Sequence, residues 1–157
     1  MFPTSYVAYD PIANPIVLAA VVLAMLPLGI AGLQDAVQQR VDNKWLVVAL
    51  LASGLVAFLT WRWMHVGIAV AVGTFLVYWL WNLRIVGGAD VKAAPAWGLM
   101  LGAVCGYPIA IFHLCAVLLV ALGVSSLSKR NIALQPFMWI GALPCLVWAM
   151  RDLTTIV

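Results

Sequence analysis

The sequence contains no glutamate and only five aspartates, so any carboxylate chemistry rests on Asp10, Asp35, Asp42, Asp90 and Asp152. Charge of either sign is scarce: charged residues make up 8% of the 157 positions, against 66% hydrophobic ones. A water-soluble domain of this length needs far more polar surface, because only its core escapes water. The scarcity excludes a soluble globular protein and leaves lipid as the medium for most of the surface, in keeping with a mean hydropathy of +1.12. Cysteine is also sparse. Cys105, Cys115 and Cys145 sit inside apolar runs with no CxxC or other ligand spacing, which reads as small core hydrophobes rather than a metal site. The eight basic residues are scattered among apolar runs and make no basic patch, so nucleic acid is not an expected partner. The composition suits a single membrane-embedded domain over residues 1–157, with no room for a second globular unit.

What the sequence does have is long apolar runs. Six are read, about Pro15 to Leu33, Trp45 to Thr60, Met64 to Leu83, Val91 to Cys105, Pro108 to Leu127 and Gln135 to Met150. A bilayer core of about 30 Å needs roughly 20 helical residues. The first, third and fifth runs meet that; the second, fourth and sixth are short and call for tilt, thinning or shielding by neighbours. The runs are continuous and lack the alternation of barrel strands. The predicted fold is all-α, a bundle of about six transmembrane helices.

Basic residues set the predicted orientation. Segments 34–44, 84–92 and 128–134 share one side and hold Arg40, Lys44, Arg84, Lys92, Lys129 and Arg130; the other side holds Arg62 and Arg151. The positive-inside rule makes the first group cytoplasmic and turns both termini outward. Trp61 and Trp63 then read as outer interfacial anchors, as do most of the eight tryptophans at span ends.

Among the acids, Asp10 and Asp152 fall near the termini and Asp42 in a loop, whereas Asp35 closes the first run and Asp90 opens the fourth. Each borders hydrocarbon, where an ionised carboxylate is costly without a partner or a wet cavity. Taken singly, either reads more readily as a helix-end or solvated residue. Together, at equal depth on one face, they can meet. Asp90 stands in Gly87-Gly88-Ala89-Asp90-Val91-Lys92, with glycines that permit tight backbone geometry and close approach by a substrate strand. Asp35 is followed by Arg40 and the Val41-Asp42-Asn43 turn, where Asn43 suits the N-cap of the second run. Gly98 and Gly102 form a GxxxG suited to close packing within the bundle. His113 reads as a packed or interhelically bonded histidine.

These motifs resemble the type IV prepilin peptidases, GxGD-type aspartyl membrane proteases, in their small archaeal, tight-adherence and preflagellin branches. In that family an Asp ends the first span, ahead of a basic stretch and an Ile-Pro-Asn-like turn. A Gly-x-Gly-Asp-x-Lys motif follows, and a Pro-Phe pair lies near the last span. Gly87 to Lys92 aligns with the second motif, with Ala89 in place of its second glycine, and Gln135-Pro136-Phe137 is similar to the third. Asp42 stands where the turn usually has Pro. The same Gly-Asp motif occurs in presenilin-like proteases, but their first motif pairs Tyr with Asp, and here Asp35 follows Gln34.

The resemblance implies an aspartyl endopeptidase with Asp35 and Asp90 as the catalytic pair. Gly87, Gly88, Ala89 and Lys92 would be the supporting motif. Its substrate would be a prepilin-like or preflagellin-like membrane protein with a short basic leader, cut at the cytoplasmic face. Larger members carry paired-Cys motifs linked to N-methylation; with no CxxC, no methyltransferase domain is expected. Two close carboxylates share a proton near neutrality and can activate water between them, with no cofactor or metal called for. Asp90 at a helix N-terminus suits the base and Asp35 at a C-terminus the acid. Two alternatives stand beside this reading: a non-catalytic membrane scaffold of a pilus or secretion apparatus, and a small ion-coupled transporter.

Overall fold

The computed structural model describes residues 15–38, 40–128 and 134–151. Among them are six helices: α1 (Pro15–Gln38), α2 (Asn43–Thr60), α3 (Trp63–Asn82), α4 (Gly88–Cys105), α5 (Tyr107–Ser128) and α6 (Gln135–Arg151). Helix is the only local solution for such runs in lipid, because each backbone N–H and C=O must be satisfied within its own segment. Three of the helices, α1, α2 and α3, are long and apolar enough to cross a bilayer. The chain is an all-α membrane bundle. The elements match the apolar runs with three extensions of two or more residues: α1 continues past Leu33 to Gln38, α2 starts at Asn43 rather than Trp45, and α4 starts at Gly88 rather than Val91. Lys129, Arg130, Asp10 and Asp152 lie outside the described residues, as do the side chains of Arg151 and Cys145.

Short connections make sequence neighbours antiparallel, so the ends of α1 and α3 meet the starts of α2, α4 and α6 at one pole of the bundle. The tightest connection is Gly106, which alone joins α4 to α5 at φ 77° and ψ 160°. A Cβ disfavours that region, so this turn depends on glycine. At the other end of α3, Arg84 takes the left-handed conformation (φ 59°) without being glycine. The Arg84 N–H donates to the Trp81 carbonyl at 2.8 Å and the Ile85 N–H to the Leu80 carbonyl at 3.0 Å, which is the Schellman pattern that satisfies the free carbonyls of a helix end.

Helix α4 lies at the centre. It packs on all five other helices, most extensively on α3, and it is buried along most of its length. This shielding explains how a run with only moderate hydropathy crosses the bundle. The α3–α4 seam is built on small residues. A Cβ on Gly98 would lie 2.7 Å from Val70 Cα, and one on Gly102 would lie 2.8 Å from Ala69 Cβ and 2.9 Å from Val66 Cα. The GxxxG therefore serves internal packing, as expected from sequence. The core is rich in alanine (Ala24, Ala31, Ala49, Ala57, Ala93, Ala103), whereas large apolar side chains such as Leu33, Phe75 and Phe112 are exposed. That inversion is what lipid allows: burial gains nothing by hiding Leu from hydrocarbon, and packing rewards close backbone approach.

Some sequence expectations are corrected. Asn43 is the first residue of α2, and the N-cap position belongs to Asp42, which makes no side-chain cap and instead pairs with Lys44 Nζ at 3.3 Å. The indole of Trp97 is buried, and Trp139 is half-buried, so neither is a headgroup anchor. Cys115 is exposed on α5 rather than packed in the core. Arg62 ties the α2–α3 connection to α4. Its Nη1 donates to the Val104 carbonyl at 3.2 Å, at the C-terminus of α4, where a cation is favoured.

The seam gives a direct test. Gly98→Ala forces backbone against side chain and is expected to destabilise the bundle by about 1–3 kcal/mol. Gly67→Ala on the same pair of helices meets nothing within 4 Å and should leave the thermal unfolding midpoint in detergent unchanged or slightly raised.

Candidate active site

Asp35 lies on the last turn of α1 and Asp90 is the third residue of α4, and the fold brings them to the same pole. Both are buried, at 5% and 3% exposure, and the charge of Asp35 bears on Asp90. Their surroundings differ. Asp90 accepts three backbone N–H bonds: its Oδ2 from Gly87 at 3.0 Å, and its Oδ1 from Leu134 and from Gln135, each at 3.1 Å. The first is the reciprocal half of a helix cap, with the Asp90 N–H returning to the Gly87 carbonyl at 3.2 Å. The other two come from the open N-terminus of α6, where the first amides have no partner of their own helix. One carboxylate thus satisfies the starts of two helices, and both helix dipoles favour an anion there. Asp35 is less provided for. Its Oδ2 is buried without a hydrogen-bond partner, and its nearest backbone donor is the same Gln135 amide.

The motif residues fall into place around Asp90 in ways the spacing alone did not reveal. Gly87 is in extended backbone (φ −79°, ψ 160°) that any residue can adopt. A Cβ there would meet Asp90 Oδ2 at an ordinary 3.5 Å, and on Gly88 only Trp81 Nε1 at 3.8 Å. The two glycines are therefore not required by a strained turn; they leave the rim beside Asp90 uncovered. Ala89 is the second residue of α4, a helical position that alanine fills better than glycine. Lys92 is exposed, and its Nζ donates to Asn43 Oδ1 at 3.1 Å, tying the start of α4 to the start of α2.

Two residues serve Asp90 in a way the sequence does not announce, although Gln135 stands in the third motif. Gln135, 1% exposed, supplies one of the Asp90 donors, and its Oε1 accepts the Trp97 indole N–H at 3.1 Å. Leu134 supplies another donor. Pro136 falls in the first turn of α6, a position that suits proline, but nothing in the spacing says which acid that helix start faces. A narrow crevice continues from Asp90 past Ala94 and Trp97 to Leu101, Leu114 and Met138. On the outer surface a wide apolar groove of about 690 Å³ runs between α1 and α6, from Val21 and Leu143 to Ala36 and Pro136, the chain neighbours of Asp35 and Gln135.

A family model described as the type IV leader peptidase family matches residues 14–127. The chain belongs to that family. The family and the apolar helices make it a type IV leader peptidase-like membrane protease. No curated protein and no solved structure matches the chain significantly. Both aspartates of the pole fall inside the matched residues, whereas Leu134 and Gln135 fall beyond them.

The unequal provision of the two acids has a measurable consequence. In Asp90→Asn the new NH2 group opposes at least one backbone N–H, which is expected to cost about 1–2 kcal/mol of stability. Asp35→Asn replaces a buried carboxyl that holds few partners and should leave the unfolding midpoint equal or higher. Thermal unfolding of the two variants in the same detergent separates them.

Proposed function

We propose that the chain is an aspartyl endopeptidase that removes the short basic leader from prepilin-like or preflagellin-like membrane proteins, with Asp35 and Asp90 as its catalytic pair. The observation that carries this reading is the meeting of two buried carboxylates from α1 and α4, one fully engaged by amides and one with an unpartnered oxygen. A water between them gives up a proton to one carboxylate while its oxygen attacks the scissile carbonyl carbon. The other, protonated, gives its proton to the carbonyl oxygen. Collapse of the tetrahedral intermediate breaks the C–N bond, and the amine leaves with a proton from the dyad. Asp90, which only accepts hydrogen bonds, suits the base. Asp35, with an oxygen free to carry a proton, suits the acid, although the pair titrates as one unit.

The charge bias of the loops favours a cytoplasmic position for this pole in the cell membrane. That position suits a bond just cytoplasmic of a substrate's hydrophobic helix. The groove between α1 and α6 supports the same geometry. From Val21 to Ala36 it follows α1 for about 22 Å, much of the bilayer core, and it ends at Ala36, next to Asp35 in the chain. The substrate's hydrophobic segment would lie in it from the lipid, with its leader crossing the uncovered rim at Gly87 and Gly88.

Co-expression with a prepilin-like substrate, read as leader removal on a gel, tests the dyad. Asp35→Asn and Asp90→Asn are each expected to lower processing by at least about 100-fold, and the wild-type rate should follow a bell-shaped pH profile. Full processing by both variants would sink the reading. Ala36→Trp, which fills the site end of the groove, is expected to raise KM several-fold while kcat stays within about twofold.

A further inference from the structure

We infer that Gln135 and Trp97 act as a positioning pair that holds the α6 amides on Asp90, so that turnover, rather than substrate binding, depends on a single indole-to-carboxamide hydrogen bond. The inference rests on the aspartate reading above. A carboxamide buried to 1% exposure in an apolar bundle is costly unless it is bonded, and leucine would satisfy packing alone at the start of α6. Gln135 is instead bonded at both of its ends. Its side-chain Oε1 accepts from Trp97, and its backbone N–H donates to Asp90 Oδ1, both at 3.1 Å.

Trp97 and Asp90 are seven residues apart on α4, which is two helical turns, so both face the same way, about 10 Å apart along the axis. The first residue of α6 is thus fixed to α4 at two points on one face, and its first turn cannot rotate without straining both bonds. An indole N–H can only donate, so it also fixes which end of the carboxamide faces α4. The same residue backs onto α1: a Cβ on Gly32 would lie 3.6 Å from the Gln135 carbonyl carbon and oxygen. Gly32 is three residues before Asp35 and therefore close to it on the helix surface. Gln135 stands between the two helices that carry the acids, and the Gln135 amide bears on both carboxylates.

The test uses the full chain with a prepilin-like substrate in detergent and compares Trp97→Phe, Gln135→Leu, the double variant, Asp35→Asn and Asp90→Asn. Trp97→Phe keeps the ring and removes only the N–H, so it is the variant expected to fold best; folded protein is measured by thermal unfolding and rates are normalised to it. A positioning role predicts that Trp97→Phe and Gln135→Leu each lower kcat by about 10- to 100-fold, with KM within twofold. It also predicts a displaced limb in the pH–rate profile and a double variant no slower than the worse single one. A Trp97→Phe enzyme with unchanged kcat and pH profile, or one changed in KM alone, overturns the inference while leaving the dyad intact. Activity retained by both Asp→Asn variants overturns the dyad and the inference with it.

Discussion

A carboxylate inside a lipid-immersed bundle survives only if donors reach it, and here the donors of Asp90 are the beginnings of helices. Gly87 at the start of α4 and Leu134 and Gln135 at the start of α6 all point their amides at one side chain. Helix starts are a natural place for this, since their first N–H groups lack partners in any case. Two needs of the fold are met by one residue: two open helix ends are closed, and a buried negative charge is solvated by protein. The position of the α6 start beside α4 follows from that convergence.

The second acid is held differently. Asp35 reaches the pole from α1, which packs mainly on α2 and α6 and touches α4 only lightly. Its buried Oδ2 has no partner. Ser53 Oγ, Thr74 Oγ1 and His113 Nε2 are also buried without a partner, but among these groups only Asp35 is a carboxyl at the pole it shares with a second acid, where an unsatisfied oxygen fits a working site. The contrast between a fully bonded carboxylate and an under-bonded one is the structural basis for giving them different roles, because two equivalent acids would offer no reason for the proton to prefer either.

Much of this was legible in the sequence. The six helices follow from continuous apolar runs, and the approach of Asp35 and Asp90 follows from counting spans, since residues at the end of α1 and the start of α4 must share a pole. The GxxxG at Gly98 and Gly102 pointed to an internal seam. What was not legible depends on lateral neighbours. Hydropathy gives the depth of a residue but not which helix stands beside it, so the α6 amides at Asp90 and the Trp97–Gln135 bond could not be read. Trp97 looked like one more tryptophan of a membrane protein, because its partner is 38 residues away in the chain. Of the two readings of Gly87 and Gly88, tight geometry and close approach, only the first is set aside by the backbone. Spacing suggests a tight turn, whereas the backbone there is ordinary and the lack of side chains matters for what is left uncovered.

The alanine and glycine interior carries a consequence for how this chain can vary. In a soluble protein, one rule covers the core: keep it apolar and of the right volume. In this bundle the rule splits in two. At Gly98 and Gly102 size alone is the constraint, because the neighbouring helix stands where a larger side chain would go. At Phe75 and Phe112 on the outer surface polarity alone is the constraint, because lipid accommodates any apolar shape and rejects charge. The two filters act on different residues, so the chain can change shape where it meets lipid without disturbing the seam that fixes α3 on α4.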